Sequence, residues 1–509
     1  MHTGVNVMNK IRRCSTFLLI SASLATLLLS CVTIRPSEFI TPPCSLSSLR
    51  AAIDSLLSDS LFIPTRAGIK VVSLQTGEVL YERDSHVLFH PASNLKLLTA
   101  ATALRILGRN YQVHTSVFGE LTPDSTIKGD LFIKGYGDPD LTVKDLESIA
   151  DSLKAAGVKR VLGNVVSDVS YFDSLYWGTG WMWDDDPACW QMYLTPLSIE
   201  KNCIEVIVSP GKCVGSPPTV NLNPPTSFIT VQNEATTISA SDSGTLSVDR
   251  LWRERLNVIT VKGGIRATSQ PQHYHVNVWQ PELYAASLFR DVLHSKGIEV
   301  LGGIKSLQRN STVDELKHKS TFTMLADHTR GLDSILVNMN KVSDNLSAEN
   351  VLRIIGAVTY TAPGSAEKGL WTLHSVLQQM GIDSTSYYTV DGSGVSHYNL
   401  VNADILVKLL TAMYRDSKNF DLFYASLPIG GVDGTLKNRM KGSPAEENVH
   451  AKTGSINGVS SLSGYLHTRD GEPIAFSMLM QNFIGSGQSY RYVQDRICAL
   501  IAEFSRQQR

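Results

Sequence analysis

Between residues 67 and 85 apolar and polar positions alternate, "AGIKVVSLQTGEVLYERDS", and the two-residue period predicts a β-hairpin turning at Thr76-Gly77. The pattern then changes. "ASNLKLLTAATALRILG" is rich in Leu and Ala, ends at Gly108, and predicts a mostly buried helix. From about 110 to 310 short β-branched runs such as "KGDLFIKG", "TSFITVQN" and "LNVITVKGG" alternate with Gly, Pro, Asn and Asp, which predicts one or two β-rich domains. Helical spacing returns in "GLDSILVNMNKVSDNLSAENVLRIIG" and "LVNADILVKLLTAMYRD". The chain closes with a β-meander, "ENVHAKTGSINGVSSLSGYLHTRDGEPIAFSMLMQNF", and the amphipathic segment "YRYVQDRICALIAEF". Heptads, internal repeats and low-complexity tracts are absent from the sequence.

The simplest architecture is α+β. The 45–109 segment and the 313–509 segment form one domain, an antiparallel sheet with a helical lobe, and 110–312 is an insertion. A length of 509 residues fits two or three domains. Lys plus Arg number 46 against 47 Asp plus Glu, so no overall field draws the chain to nucleic acid.

Lys10, Arg12 and Arg13 precede the apolar "STFLLISASLATLLLSC", which reads as an export signal over 1–31, with an uncleaved anchor as the alternative. "LLSC", Leu28 to Cys31, resembles a bacterial lipobox and makes Cys31 a lipidation candidate, hence an exported, periplasmic, membrane-anchored lipoprotein. Five cysteines remain: Cys44, Cys189, Cys203, Cys213 and Cys498. Cys203 and Cys213 flank a strand and a Pro-Gly turn, so they read either as a local disulfide or as two buried thiols. Neither C-x-x-C nor H-E-x-x-H spacing occurs, and no metal or other cofactor is expected.

Three polar motifs interrupt this pattern. Ser93 and Lys96 share one face of the first turn of an apolar helix, where free N–H groups favour developing negative charge. A lysine among Leu95, Leu97 and Leu98 is desolvated, which favours a neutral amine able to deprotonate a serine. S-x-x-K also occurs at Ser125, Ser198, Ser209 and Ser365, but only Ser93 opens a long apolar helix. Ser343-Asp344-Asn345 occurs once, as a turn or N-cap or as a second hydroxyl with an amide beside it. Lys452-Thr453-Gly454 also occurs once, on a strand, and suits either a protected sheet edge or a carboxylate site with close backbone approach by a ligand at Gly454.

In the order S-x-x-K, S-D-N, K-T-G these motifs resemble the signature set of penicillin-recognising serine enzymes. Within that superfamily the chain resembles the D-alanyl-D-alanine carboxypeptidase/endopeptidase family, the class C low-molecular-mass penicillin-binding proteins. "KGYGDPDL", "WMWDDDP", "SDNLSAENVLR", "DGSGVSHYNLV" and "GGVDGTLKNRMKG" carry the resemblance from about 45 to 505. The separation of 250 residues from Ser93 to Ser343 matches the inserted domains of that family. Tyr136 and Cys189 depart from its usual pattern, both in the insertion.

The resemblance implies an acyl-enzyme on Ser93, with Lys96 accepting its proton and Ser343 relaying one to the leaving D-alanine. It implies that Asn345 binds the substrate backbone and that Lys452, Thr453 and Gly454 form the carboxylate strand. The backbone N–H groups of Ser93 and Ser455 would form the oxyanion hole. Implied partners are peptidoglycan stem peptides ending in D-Ala-D-Ala and β-lactams that acylate the same serine. A serine β-lactamase or esterase on this scaffold is the nearest alternative. The E-x-x-x-N pattern that supplies a deacylating glutamate is not met at Glu349, Glu367, Glu446 or Glu447. A catalytically inactive cell-wall-binding protein is the other.

Overall fold

The expected hairpin forms: Arg66–Ser73 and Val79–Arg83 pair antiparallel in a computed structural model that describes residues 43–307, 313–316 and 321–506. The leader and Cys31 lie outside the described residues. Arg66–Ser73 pairs on its other side with Pro473–Gln481, from the far end of the chain. Val459–His467 and then His450–Ile456 complete five antiparallel strands, so the strand holding Lys452 is an edge. Pro473–Gln481 is buried from Ile474 to Met480 and apolar there but for Ser477, because both of its faces are covered.

Side-chain alternation separates those faces. Ser460 accepts a hydrogen bond from Gln494 of the last helix, Gln488–Glu503. Its neighbour Ser461 points the other way and donates to the Pro91 carbonyl, as Tyr465 donates to Leu410 in the helix Ala403–Tyr414. On this second face the helices Lys96–Ile106, Leu332–Lys341, Asn345–Tyr360, Ala366–Gln379 and Ala403–Tyr414 share one core with Val72, Ala475 and Leu479. Asp344 caps Asn345–Tyr360 by accepting from Ser347 N at 2.8 Å, a contact worth about 1 kcal/mol. Among the described residues no helix is long and apolar enough to cross a membrane.

The intervening residues build a second core around Ile133, Val165, Val206, Val261 and Phe289. It is not purely β. Helices Val143–Ala155 and Pro281–Ser295 pack into it, with Tyr284, Ala285, Leu288 and Phe289 buried. The boundary expected at 313 moves: Phe322–Gly331 pairs with Gln112–Glu120 in an inserted sheet, and the chain leaves that sheet only where helix Leu332–Lys341 begins. An antiparallel partner more than 200 residues away leaves no local signal for that boundary.

The cysteine expectation is also corrected. Cys203 bonds to Cys189, with Cα atoms 5.9 Å apart, and Cys213 is free and exposed. Cys203 begins a strand that runs to Ser209, about 20 Å away, and Cys213 lies beyond that far end. The turn Cys189–Gln191 instead comes back beside the start of the strand.

Candidate active site

Ser93 lies not on the α-helix itself but on a 3₁₀ turn, Ala92–Leu95, that leads into it at Lys96. In that tighter geometry residues i and i+3 eclipse, which stacks the Lys96 side chain beneath Ser93. Ala92 has φ +46°, a left-handed conformation that costs a non-glycine residue roughly 1–2 kcal/mol. The turn is pinned to the sheet. Asn94 Nδ2 donates to the Lys452 carbonyl at 3.1 Å and to Ser461 Oγ at 2.8 Å, while Ser461 Oγ donates to Pro91 O at 2.8 Å.

Lys96 is fully buried. Its Nζ has three oxygen neighbours: Ser93 Oγ at 3.0 Å, Asn345 Oδ1 at 2.7 Å and the Ser393 carbonyl at 2.8 Å. An ammonium would donate to all three. A neutral amine keeps two N–H donors for the two carbonyl-type oxygens and turns its lone pair to the Ser93 hydroxyl. Protonation of Lys96 therefore reverses a single hydrogen bond, the one to Ser93. Burial pulls its pKa from 10.5 down to about 8, against the pull of the Asp391, Asp344 and Glu349 carboxylates.

Ser343 sits between two helices at φ +66° and accepts a hydrogen bond from Lys452 Nζ at 2.8 Å. Lys452 is fully buried; burial, and then the nearby Lys96 charge, hold its pKa well below the lysine range. Thr453 Oγ1 donates to Thr435 at 2.7 Å. Along this edge strand Ala451 N points outward to Pro428 O, and alternation sends Ser455 N the same way, to the unpaired side. Gly454 meets a need of the fold itself. A Cβ there would lie 2.1 Å from Ser461 Oγ and 2.8 Å from Pro91 O, so its bareness lets the strand meet the Ser93 turn.

The structure thus brings Ser93, Lys96 and Asn345 into one hydrogen-bonded group and Ser343 and Lys452 into a second, with Asn94 tying the Ser93 turn to the Lys452 carbonyl and Thr453, Gly454 and Ser455 following along the edge strand. Residues 49–504 match the D-Ala-D-Ala carboxypeptidase 3 (S13) family. The chain belongs to that family. It is 35% identical over 478 residues to the D-alanyl-D-alanine carboxypeptidase of an Actinomadura species, covering 90% of this chain and 85% of that one. Penicillin-binding protein 4 of Haemophilus influenzae superposes with a TM-score of 0.76 at 26% identity, covering 87% of this chain and 98% of that chain. Its complex with a β-lactam gives 0.71 at the same identity and the same coverage.

Other residues of this family member complete the site without having been singled out by motif. The Ser393 carbonyl reaches Lys96 because Glu349 Oε1 accepts from Gly392 N and Ser393 N, each at 2.9 Å, while Arg353 pairs with its other oxygen at 2.9 Å. Glu349 therefore supports the loop. Asp391 organises the rest of it, accepting from Gly394 N at 2.9 Å, Ser396 N at 2.7 Å and Asn399 Nδ2 at 2.8 Å. The inserted segment contributes too, since Trp190 O takes the Asn345 Nδ2 hydrogen bond at 2.6 Å. "DGSG" signals a turn, and Asn94 stands inside the S-x-x-K spacing; nothing in sequence says which carbonyl such a turn presents.

Proposed function

We propose that this chain is a serine D,D-peptidase that cleaves the D-Ala-D-Ala bond of peptidoglycan stem peptides, the D-Ala cross-link, or both, through an acyl-enzyme on Ser93. The observation that carries this reading is the buried Lys96 amine, 3.0 Å from Ser93 Oγ with its two other neighbours already acceptors. Lys96 takes the Ser93 proton as Oγ bonds to the substrate carbonyl carbon. The resulting oxyanion lies between the backbone N–H groups of Ser93 and Ser455. As the C–N bond breaks, Ser343 passes a proton to the departing D-alanine nitrogen, and Lys452 replenishes Ser343 across their 2.8 Å contact. Water then attacks the ester, giving a proton through Ser343 to Lys452 while Lys96 returns its proton to the departing Ser93 Oγ, which releases the shortened peptide and restores all three groups.

Asn345 orients Lys96 through Oδ1 and retains one N–H of Nδ2 for the substrate backbone. Thr453 and Lys452 hold the terminal carboxylate, whose negative charge favours the ammonium form of Lys452 against the burial that disfavours it, and β-lactams, which present a similar carboxylate, acylate Ser93. The basic leader and "LLSC" support export and anchoring through Cys31 in the periplasm.

The test is the intact mass of residues 32–509 before and after benzylpenicillin, with peptide mapping. One penicilloyl adduct on the Ser93 peptide, absent in Ser93→Ala, is expected. An adduct that survives Ser93→Ala would overturn the assignment.

A further inference from the structure

The segment 176–193 has two sides. One borders the active site: Trp190 O holds Asn345, and Trp181 Nε1 donates to Asp391 Oδ2 at 3.0 Å on the loop that presents the Ser393 carbonyl. The other borders a cavity of about 440 Å³, well within the size of small-molecule sites. Its walls are Tyr176, Trp177, Trp183, Tyr193, Trp252 and Trp279, and not one aliphatic side chain lines it. Trp183 is 67% exposed beside Trp252, with ring centroids 5.5 Å apart. Indole left uncovered to this degree is a surface awaiting a ligand.

The polar groups narrow the class of ligand. Asp186 at the base is already satisfied, accepting from Tyr193 Oη at 2.5 Å and from Arg250 at 2.6 Å, so the cavity offers no free anion to a cationic ligand. At the rim Arg253 stacks on Trp252 at 4.8 Å and Arg255 on Trp279 at 5.3 Å, and a stacked guanidinium keeps its in-plane donors for oxygen acceptors. Flat apolar faces edged by donors fit a molecule with C–H faces and an oxygen-rich perimeter. An N-acetylated sugar has that form.

We propose that this cavity binds a sugar unit of the glycan strand to which the stem peptide is attached, so that one substrate molecule occupies both sites. This rests on the D,D-peptidase reading above. A five-residue stem reaches about 17 Å, and the two sites share one wall, linked through the Trp177–Trp181 ring contact at 5.8 Å. Engagement of the sugar raises the effective concentration of the peptide at Ser93.

Two measurements test it. The first is titration of the intrinsic tryptophan fluorescence with the N-acetylglucosamine tetramer, which carries no peptide. Saturable quenching is expected, lost in Trp252→Ala, weakened in Arg253→Ala and retained in Trp252→Phe. No saturable change in the wild type, or equal quenching in Trp252→Ala, overturns the proposal. The second compares kcat/KM for a disaccharide-pentapeptide and the free pentapeptide. Trp252→Ala is expected to lose about tenfold on the first and nothing on the second, with benzylpenicillin acylation unchanged as a check of folding. Equal losses on both substrates overturn it. Failure to release D-alanine from either substrate would instead overturn the peptidase reading, while the fluorescence titration still decides the cavity.

Discussion

The neutral form of Lys96 is the feature most open to direct challenge, because pH alone perturbs it. With a pKa of about 8, the free amine makes up about 1% of the enzyme at pH 6, about 9% at pH 7, half at pH 8 and about 90% at pH 9. If that amine takes the Ser93 proton, the second-order constant for acylation by benzylpenicillin rises about 50-fold from pH 6 to 8 and less than twofold beyond. Single-turnover acylation followed by quenched-flow mass spectrometry measures it, free of product release. Lys452 titrates against Lys96, since the charge of one disfavours protonation of the other, so the observed midpoint belongs to the pair. Asp391 is the largest of the charges holding the Lys96 pKa up, and Asp391→Asn therefore moves the midpoint to lower pH. A flat profile between pH 6 and 8, or a shift to higher pH in Asp391→Asn, would refute the reasoning.

The same shift makes a prediction about stability. The folded pKa lies below the unfolded value, so the penalty of a buried ammonium is fully present below pH 8. It is relieved as the folded state loses its proton between about 8 and 10.5. Wild type should thus gain roughly 3 kcal/mol over that window relative to Lys96→Met, read from urea unfolding at each pH. Gly454→Ala places a Cβ against Ser461 Oγ and the Pro91 carbonyl, and should cost about 1–3 kcal/mol while slowing acylation at least tenfold. Unchanged acylation in that variant would mean that the strand does not hold the Ser93 turn. Reducing Cys189–Cys203, which closes a loop of 14 residues, should lower stability by about 3 kcal/mol and slow acylation through Trp190 and Asn345. Cys213→Ala should change neither.

The site was legible because its chemistry is packed into short spacings. Ser93 and Lys96 are three apart, Ser343 and Asn345 two apart, and each pair is fixed by one local turn. The hairpin, the meander and the apolar helix were legible for a similar reason, since each writes its own period. What escaped depends on pairings across long stretches of chain. The partner of Cys203 is set by where Cys189–Gln191 folds back, and the membership of Phe322–Gly331 by a strand two hundred residues earlier. At Gly454 the sequence offers room for a ligand's backbone approach, but the packing that a side chain there would disturb involves Ser461 and Pro91, which are not its sequence neighbours.

A protein that buries two lysines and two strained residues at one junction carries a local cost that its surroundings must offset. The fall of the Lys96 pKa from 10.5 to about 8 corresponds to roughly 3 kcal/mol against the charged form. Each fully buried leucine around it, Leu95, Leu97 and Leu98, contributes about 2 kcal/mol. The apolar run that stands at odds with a lysine therefore has a use: its buried leucines supply the stability that burying the amine removes. A polar neighbourhood would make Lys96 easier to bury and, by keeping it protonated, useless as a base for Ser93.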